Sequence, residues 1–381
     1  MRLSQLLTSW RLLPKAIITF CVNLVATRIF NRQSWRGPLF VTWITTFDCN
    51  AFCGFCATHM LHRKYPQKLS LERSLELADE IAKSGTWMVG FTGGEVFLDS
   101  DLKKIVQRLK SHGLTVYIVT NGLLLKENAQ WIIDSGVNFV TVSLDSDLSA
   151  EHDDIRKVEG LFNSAKEGMD EIRRLRVKSK PIVNISTVLM KQNLDRISQI
   201  VENLNKFADD VRIQPLTYGL PNSPHAREEE RMNPFRFQSE EEREIRNKLT
   251  PQKWSKKFKG TYYEKFGDFW FNPNKLSKDV PCWAPFLRMV IYPDGNVLHC
   301  MANDDFGSVG NVREHSLMDV WNSQIIRQHR QVIGNNKNGC TCWTSDTSFN
   351  SFVKDIPLLN RLPCYGKPSK PTHASAEQME N

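Results

Sequence analysis

Leu39-Phe40-Val41-Thr42-Trp43-Ile44, followed by Cys49-Asn50-Ala51-Phe52-Cys53-Gly54-Phe55-Cys56, is the stretch on which the fold and the chemistry of this chain turn. The first half is an apolar run that predicts a β-strand. The second half places three thiols on one short loop, spaced by three residues and then two. Three thiolates so placed can hold three corners of a cubane iron–sulfur cluster. The next cysteine downstream is Cys282, so no neighbour of that type closes the fourth corner. A cluster with an open iron is a site for chemistry as well as for electron storage. The competing reading is a zinc knuckle, which needs four ligands and would draw the last from His59 or His62.

Outward from that stretch, short apolar runs alternate with helical periodicity. The runs are Leu39–Thr45, Trp87–Phe91, Leu114–Val119, Val137–Val142, Ile182–Leu189 and Val211–Leu216. Between them, Ser70–Lys83 carries Leu71, Leu75, Ala78 and Ala82 on one helical face, with Ser70 as the N-cap. Leu194, Ile197, Ile200, Val201 and Leu204 form a similar stripe. Six strand–helix units predict an α/β fold, a barrel or partial barrel of parallel strands with helices outside. Chemistry in such sheets collects at the carboxyl ends of the strands. Both the cysteine loop and a Gly93-Gly94-Glu95 turn fall there.

With 381 residues, 41% hydrophobic and 24% charged, the composition is that of a globular protein with room for one large domain and a smaller one. Nine cysteines are too sparse for a disulfide scaffold, and seven fall into two groups with metal-like spacing. That usage indicates a reducing, cytoplasmic compartment. The net charge of +8 reads first as a basic solvated surface. No arginine stripe interleaved with aromatics appears, so nucleic acid is not expected as a partner. Ala16–Thr27 is mostly apolar and is flanked by Arg2, Arg11 and Lys15 on one side and Arg28, Arg32 and Arg36 on the other. A span needs about 20 apolar residues, so this run is too short to cross a bilayer. It is either a helix lying peripherally on the inner membrane face or one packed on the main domain.

The expected organisation is a basic apolar segment over 1–37, the barrel over 38–220, a helical bridge over 221–280, a cysteine-bearing region over 281–365 and a disordered polar tail over 366–381. In the fourth of these, Arg288 to Val297 predicts a β-hairpin turning at Pro293-Asp294-Gly295. A helix signal follows at Ser316-Leu317-Met318-Asp319-Val320-Trp321.

The spacing Cys49-x3-Cys53-x2-Cys56, with Phe55 before the last cysteine, resembles the signature of radical S-adenosylmethionine (radical SAM) enzymes. The resemblance implies a partial (β/α)6 TIM-like barrel over roughly residues 39–217, a 4Fe–4S cluster and SAM. It also implies a reductant such as flavodoxin or ferredoxin. The open iron would chelate the amino and carboxylate groups of SAM, and an electron from the cluster would release a 5′-deoxyadenosyl radical that abstracts hydrogen from substrate. Phe55 would pack on the adenine side. Gly93-Gly94-Glu95 looks like the motif that receives the SAM ammonium, with Val96 in place of the usual proline. By the same resemblance Asn121 ends strand three beside the cofactor, Ser143 contacts the SAM ribose, Arg156 its carboxylate, and Gln214 the adenine side.

Cys282, Cys300, Cys340 and Cys342, arranged around the hairpin, resemble the SPASM or Twitch auxiliary-cluster extension, a small cysteine-rich hairpin and helix unit. Five downstream cysteines replace the usual seven and Cys340-Thr341-Cys342 has one intervening residue, so Cys364 is an alternative to either of that pair. A single auxiliary 4Fe–4S cluster is expected, with a four-cysteine zinc site as the alternative. Trp283 and Trp343 would shield it. The implied activity is hydrogen abstraction with net oxidation or bond formation. The expected substrate is a lipid, a lipid-linked molecule or a small molecule. The alternatives are a peptide-modifying maturase of the same superfamily and a non-catalytic iron–sulfur carrier or zinc module.

Overall fold

The structure, a computed structural model, describes residues 18–19, 21–23, 34–216, 284–300 and 307–334. Six strands, β1 (Phe40–Ile44), β2 (Met88–Thr92), β3 (Thr115–Thr120), β4 (Phe139–Ser143), β5 (Ile182–Leu189) and β6 (Asp210–Pro215), lie side by side in chain order and all parallel. Between them run α1 (Thr58–Lys64), α2 (Leu71–Ser84), α3 (Leu102–Ser111), α4 (Leu125–Asp134), α5 (Ser149–Arg156), α6 (Leu161–Leu175) and α7 (Ile197–Leu204). The sheet stays open, as a partial barrel.

Beyond β1 the edge continues with β7 (Arg288–Ile291), which pairs parallel to it, and then β8 (Asn296–Leu298) and β9 (Gly310–Asn311), both antiparallel. The expected Pro293-Asp294-Gly295 turn joins β7 to β8. There Gly295 takes φ +89°, a conformation that a side chain would strain. Short α8 (Ala284–Leu287), α9 (Leu317–Trp321) and α10 (Gln324–Gly334) complete the described chain.

Pleating sends Val41, Trp43, Val89, Phe91, Val116, Ile118, Val140, Val142, Val183 and Ile185 to the outer face, where the helices bury them in one continuous core. The inner face is more polar, carrying Thr42, Thr141, Asn184 and Ser186. A Cβ at Gly90 would stand 1.7 Å from the Tyr117 ring, so the glycine makes room for that ring.

Helix α2 begins as expected, with Ser70 Oγ accepting from Arg73 N at 3.2 Å. Its core face is Ser74, Leu77, Ala78 and Ile81, however, whereas Leu71, Leu75 and Ala82 are only partly buried. The expected stripe is rotated because α9 and the sheet share the helix surface, leaving those three on its margin. The α7 stripe is fully buried. Strands β2, β3 and β4 start one or two residues later than their apolar runs. Trp87, Leu114 and Val137 are buried lead-ins ahead of the first ladder pair.

Candidate functional site

The site grows from the end of β1. Thr46 Oγ1 accepts from Asp48 N at 2.9 Å and bends the chain into the cysteine loop. Cys53 is buried, Cys49 and Cys56 are half-buried, and Cys56 N donates to Cys53 O at 3.1 Å. Burial pushes the Cys53 thiol up to about 12; the Arg156 guanidinium opposes this, and Cys56, Asp145 and Cys49 add to it. Cys49 is also raised, chiefly by burial, with Cys56 among the lesser causes. The three thiols therefore feel one another. Yet among the described residues no three His, Cys, Asp or Glu side chains converge closely enough to hold a single metal ion. Three thiols on one loop are a donor set that suits a cluster with one iron per thiolate.

The glycine turn is stitched to this loop. Gly94 N donates to Thr46 O at 3.0 Å and Glu95 N to Asp48 O at 2.7 Å. Gly93 has φ +130°, and a Cβ on Gly94 would lie 1.9 Å from Asp48 O. The two glycines thus permit a close approach of backbone to backbone, which fixes Glu95 relative to the cysteines. Gly94→Ala is expected to push the turn off Asp48. The expected results are a destabilisation of about 1–3 kcal/mol, seen as a lowered urea midpoint, and poor iron retention.

Glu95 is 1% exposed. Its Oε1 accepts from Thr120 Oγ1 at 2.8 Å and Phe97 N at 3.3 Å, and its Oε2 from Asn121 N at 2.8 Å. A carboxylate offers about four acceptor positions, so one remains for a ligand cation. Burial raises the Glu95 pKa, and the bonds from Asn121 and Thr120 counter it. Asn121 also donates Nδ2 to Asn50 Oδ1 at 2.7 Å, tying β3 to the cysteine loop.

Across the open end of the barrel, Asp145 follows β4 fully buried. Its Oδ2 receives Arg156 Nε at 2.9 Å and Nη2 at 2.8 Å, and its Oδ1 receives Val188 N at 2.9 Å. Its main-chain N donates to His152 Nδ1 at 3.1 Å, and its carbonyl accepts from Asn193 Nδ2 at 3.0 Å. Phe55 packs against Ile155, Met190 and Leu216, with the Arg156 guanidinium 5.7 Å from its ring centre. Ser143 ends β4 half-buried, in register with Ser186. Gln214, also half-buried, lies opposite Val188 near the end of β6.

The structure thus gathers Cys49, Cys53, Cys56, Phe55, Gly93, Gly94, Glu95, Asn121 and Arg156 around one loop, and sets Ser143 and Gln214 on neighbouring strand ends. Cys300 follows β8, half-buried. Cys282, Cys340, Cys342, Cys364, Trp283 and Trp343 lie outside the described residues, as does most of Ala16–Thr27. Asp145, Thr120 and Asn50 have roles that the sequence alone does not assign. A carboxylate just past a strand end, eleven positions before a buried arginine, is the signal that would have found the first.

Residues 43–204 match the family model described as the radical SAM superfamily, and residues 282–344 match SPASM, an iron–sulfur cluster-binding domain. The chain belongs to the radical SAM superfamily and carries a SPASM region. As a radical SAM protein its cofactors are a 4Fe–4S cluster and SAM, and the SPASM region adds auxiliary iron–sulfur binding. It is similar to an AdoMet-dependent heme synthase of Oleidesulfovibrio alaskensis, 28% identical over 172 residues, 44% of this chain and 43% of that relative. The chain thus spans less than half the length of that relative. A PqqA peptide cyclase of Granulibacter bethesdensis is 23% identical over 286 residues, 72% of this chain and 71% of the cyclase. Streptococcus suis SuiB, solved bound to precursor peptide SuiA, has the same fold with TM-score 0.60 and 15% identity, covering 80% of this chain and 69% of that one.

Among the described residues no helix is long and apolar enough to cross a membrane.

Proposed function

We propose that the chain is a radical SAM enzyme that holds its SAM-binding cluster on Cys49, Cys53 and Cys56 and uses an auxiliary cluster in the SPASM region to accept an electron from the substrate radical. The observation that carries this reading is the fixed attachment of Glu95 to the cysteine loop, with a buried carboxylate keeping one acceptor position beside three thiols. Bound there, the cluster and SAM would supply the 5′-deoxyadenosyl radical that removes a hydrogen atom from substrate. The chain's own residues orient and enclose. Glu95 would receive the SAM ammonium, Phe55 would cover the adenine side with Gln214 near it, and Ser143 would meet the ribose. Cys282, Cys300, Cys340 and Cys342 are the proposed ligands of the auxiliary cluster, with Cys364 the alternative to one of the last two. The test is anaerobic reconstitution, reduction with dithionite and assay for 5′-deoxyadenosine. Its formation with SAM supports the reading; a protein loaded with iron that forms none returns the chain to the carrier or binding-module class.

For the substrate, a peptide is favoured over the expected lipid or small molecule. The match to the peptide cyclase spans 72% of this chain and 71% of the cyclase, whereas the heme synthase match covers less than half of either chain.

A membrane-surface location is a separate proposal, supported by the short helical stretch that the structure describes near the N-terminus. There Thr19 Oγ1 donates to Gly85 O at 3.0 Å and Asn23 Nδ2 to Gly37 O at 2.9 Å, so the polar side chains turn inward. Ile18 and Cys21 are left exposed on a segment flanked by arginines. Full-length protein is expected to co-sediment with vesicles containing anionic lipid and to lose that binding when residues 1–35 are deleted. Equal sedimentation of the two would remove the proposal.

A further inference from the structure

Arg156 meets the cysteine loop at three points. Its main-chain O accepts from Phe52 N at 3.1 Å, its guanidinium lies 5.7 Å from the Phe55 ring centre, and Nη1 points at Cys53 Sγ from 4.0 Å, the outer end of an N–H···S contact. The side chain has little freedom to do otherwise. It is 7% exposed, and Nε and Nη2 are both committed to Asp145, a carboxylate itself tied to β5 through Val188 and to α5 through His152. An arginine has five N–H donors. Two go to Asp145 and one faces the sulfur, so the charge is clamped at the thiol whatever the other two later bind.

We infer that Arg156 is a positioning residue for the SAM-binding cluster itself: clamped by Asp145, it presents a cationic N–H donor to the Cys53 thiolate and raises the reduction potential of the cluster that this thiolate would hold. The inference rests on the proposed ligand set above. Reducing a cluster adds negative charge to its sulfurs, and a nearby cation with an N–H aimed at one of them stabilises that reduced state. Loss of the donor leaves the cluster harder to reduce. This role differs from the one implied by the family resemblance, in which Arg156 serves SAM, and it acts before SAM is bound.

The experiment is an EPR-monitored redox titration of the reconstituted protein without SAM, comparing wild type with Arg156→Lys and Arg156→Gln at equal iron content. Lysine retains a charge for Asp145 but cannot keep a two-point clamp and still reach the sulfur. In both variants the ratio of reduced to oxidised cluster at a fixed potential is expected to fall at least tenfold, a downward shift of at least about 59 mV for a one-electron couple. Unchanged potentials in both would overturn the inference while leaving the proposed function intact; failure of wild type to assemble the cluster would instead sink the ligand assignment. Because the variants can fail to fold, wild type grown with 15N-labelled arginine provides a second readout. Pulsed EPR of the reduced cluster should show a 15N coupling that is absent from unlabelled protein, and a missing coupling would also overturn the inference.

Discussion

Replacing Cys49, Cys53 and Cys56 together by alanine is expected to remove about four irons per chain and to abolish 5′-deoxyadenosine formation, while the metal of the SPASM region stays bound. Cys49 and Cys56 are only half-buried, and Cys53, although buried, leaves a small gap when its sulfur is lost. The fold should therefore survive, and circular dichroism should show unchanged secondary structure. Iron and zinc analysis reads the outcome directly. Loss of zinc in place of iron would restore the zinc-knuckle reading, and retention of all the iron would move the cluster elsewhere.

Glu95→Gln is expected to have the next largest effect. The substitution removes the charge and turns one acceptor oxygen into a donor facing Thr120 Oγ1, Phe97 N or Asn121 N, all of which already donate to it or can only donate. An unsatisfied buried donor costs about 1–3 kcal/mol, and hydrogen bonds to charged groups contribute about 1.5–3 kcal/mol. A loss of SAM affinity of roughly ten- to a hundredfold should follow, measured by equilibrium dialysis. The pH dependence has a definite sign. Only the ionised carboxylate receives an ammonium, and burial raises the Glu95 pKa, so wild-type affinity should fall as pH is lowered through that raised value. The glutamine variant should lack that limb.

Most of this fold could be read along the chain because parallel strands covered on both faces appear as apolar runs, and the six runs correspond to β1 through β6. The hairpin at Pro293-Asp294-Gly295 was readable for the same local reason. Its pairing with β1 was not, since nothing local to Arg288 says that it will lie beside Phe40. The site divides in the same way. The cysteines and Gly93-Gly94-Glu95 announce themselves by residue type and spacing, whereas Asp145 acts through partners on β5, α5 and the loop after β5. Thr120 and Asn121 reach Glu95 only because β3 lies beside β2, and that adjacency is a property of the sheet. Arg156 was visible as a candidate. Its clamp on Asp145 and its direction toward Cys53 emerge only when the end of α5 meets the cysteine loop.

A cluster held by three thiolates keeps one iron open, and SAM would fill that position. Pulsed electron–nuclear double resonance on the reduced protein, with SAM labelled by 15N at its amino group and 17O at its carboxylate, reads that contact. Both labels should couple to the cluster, and both couplings should be lost in the Cys49/Cys53/Cys56 triple variant. A fully loaded, reduced cluster that shows neither coupling at saturating SAM would rule out SAM as the ligand of the open iron.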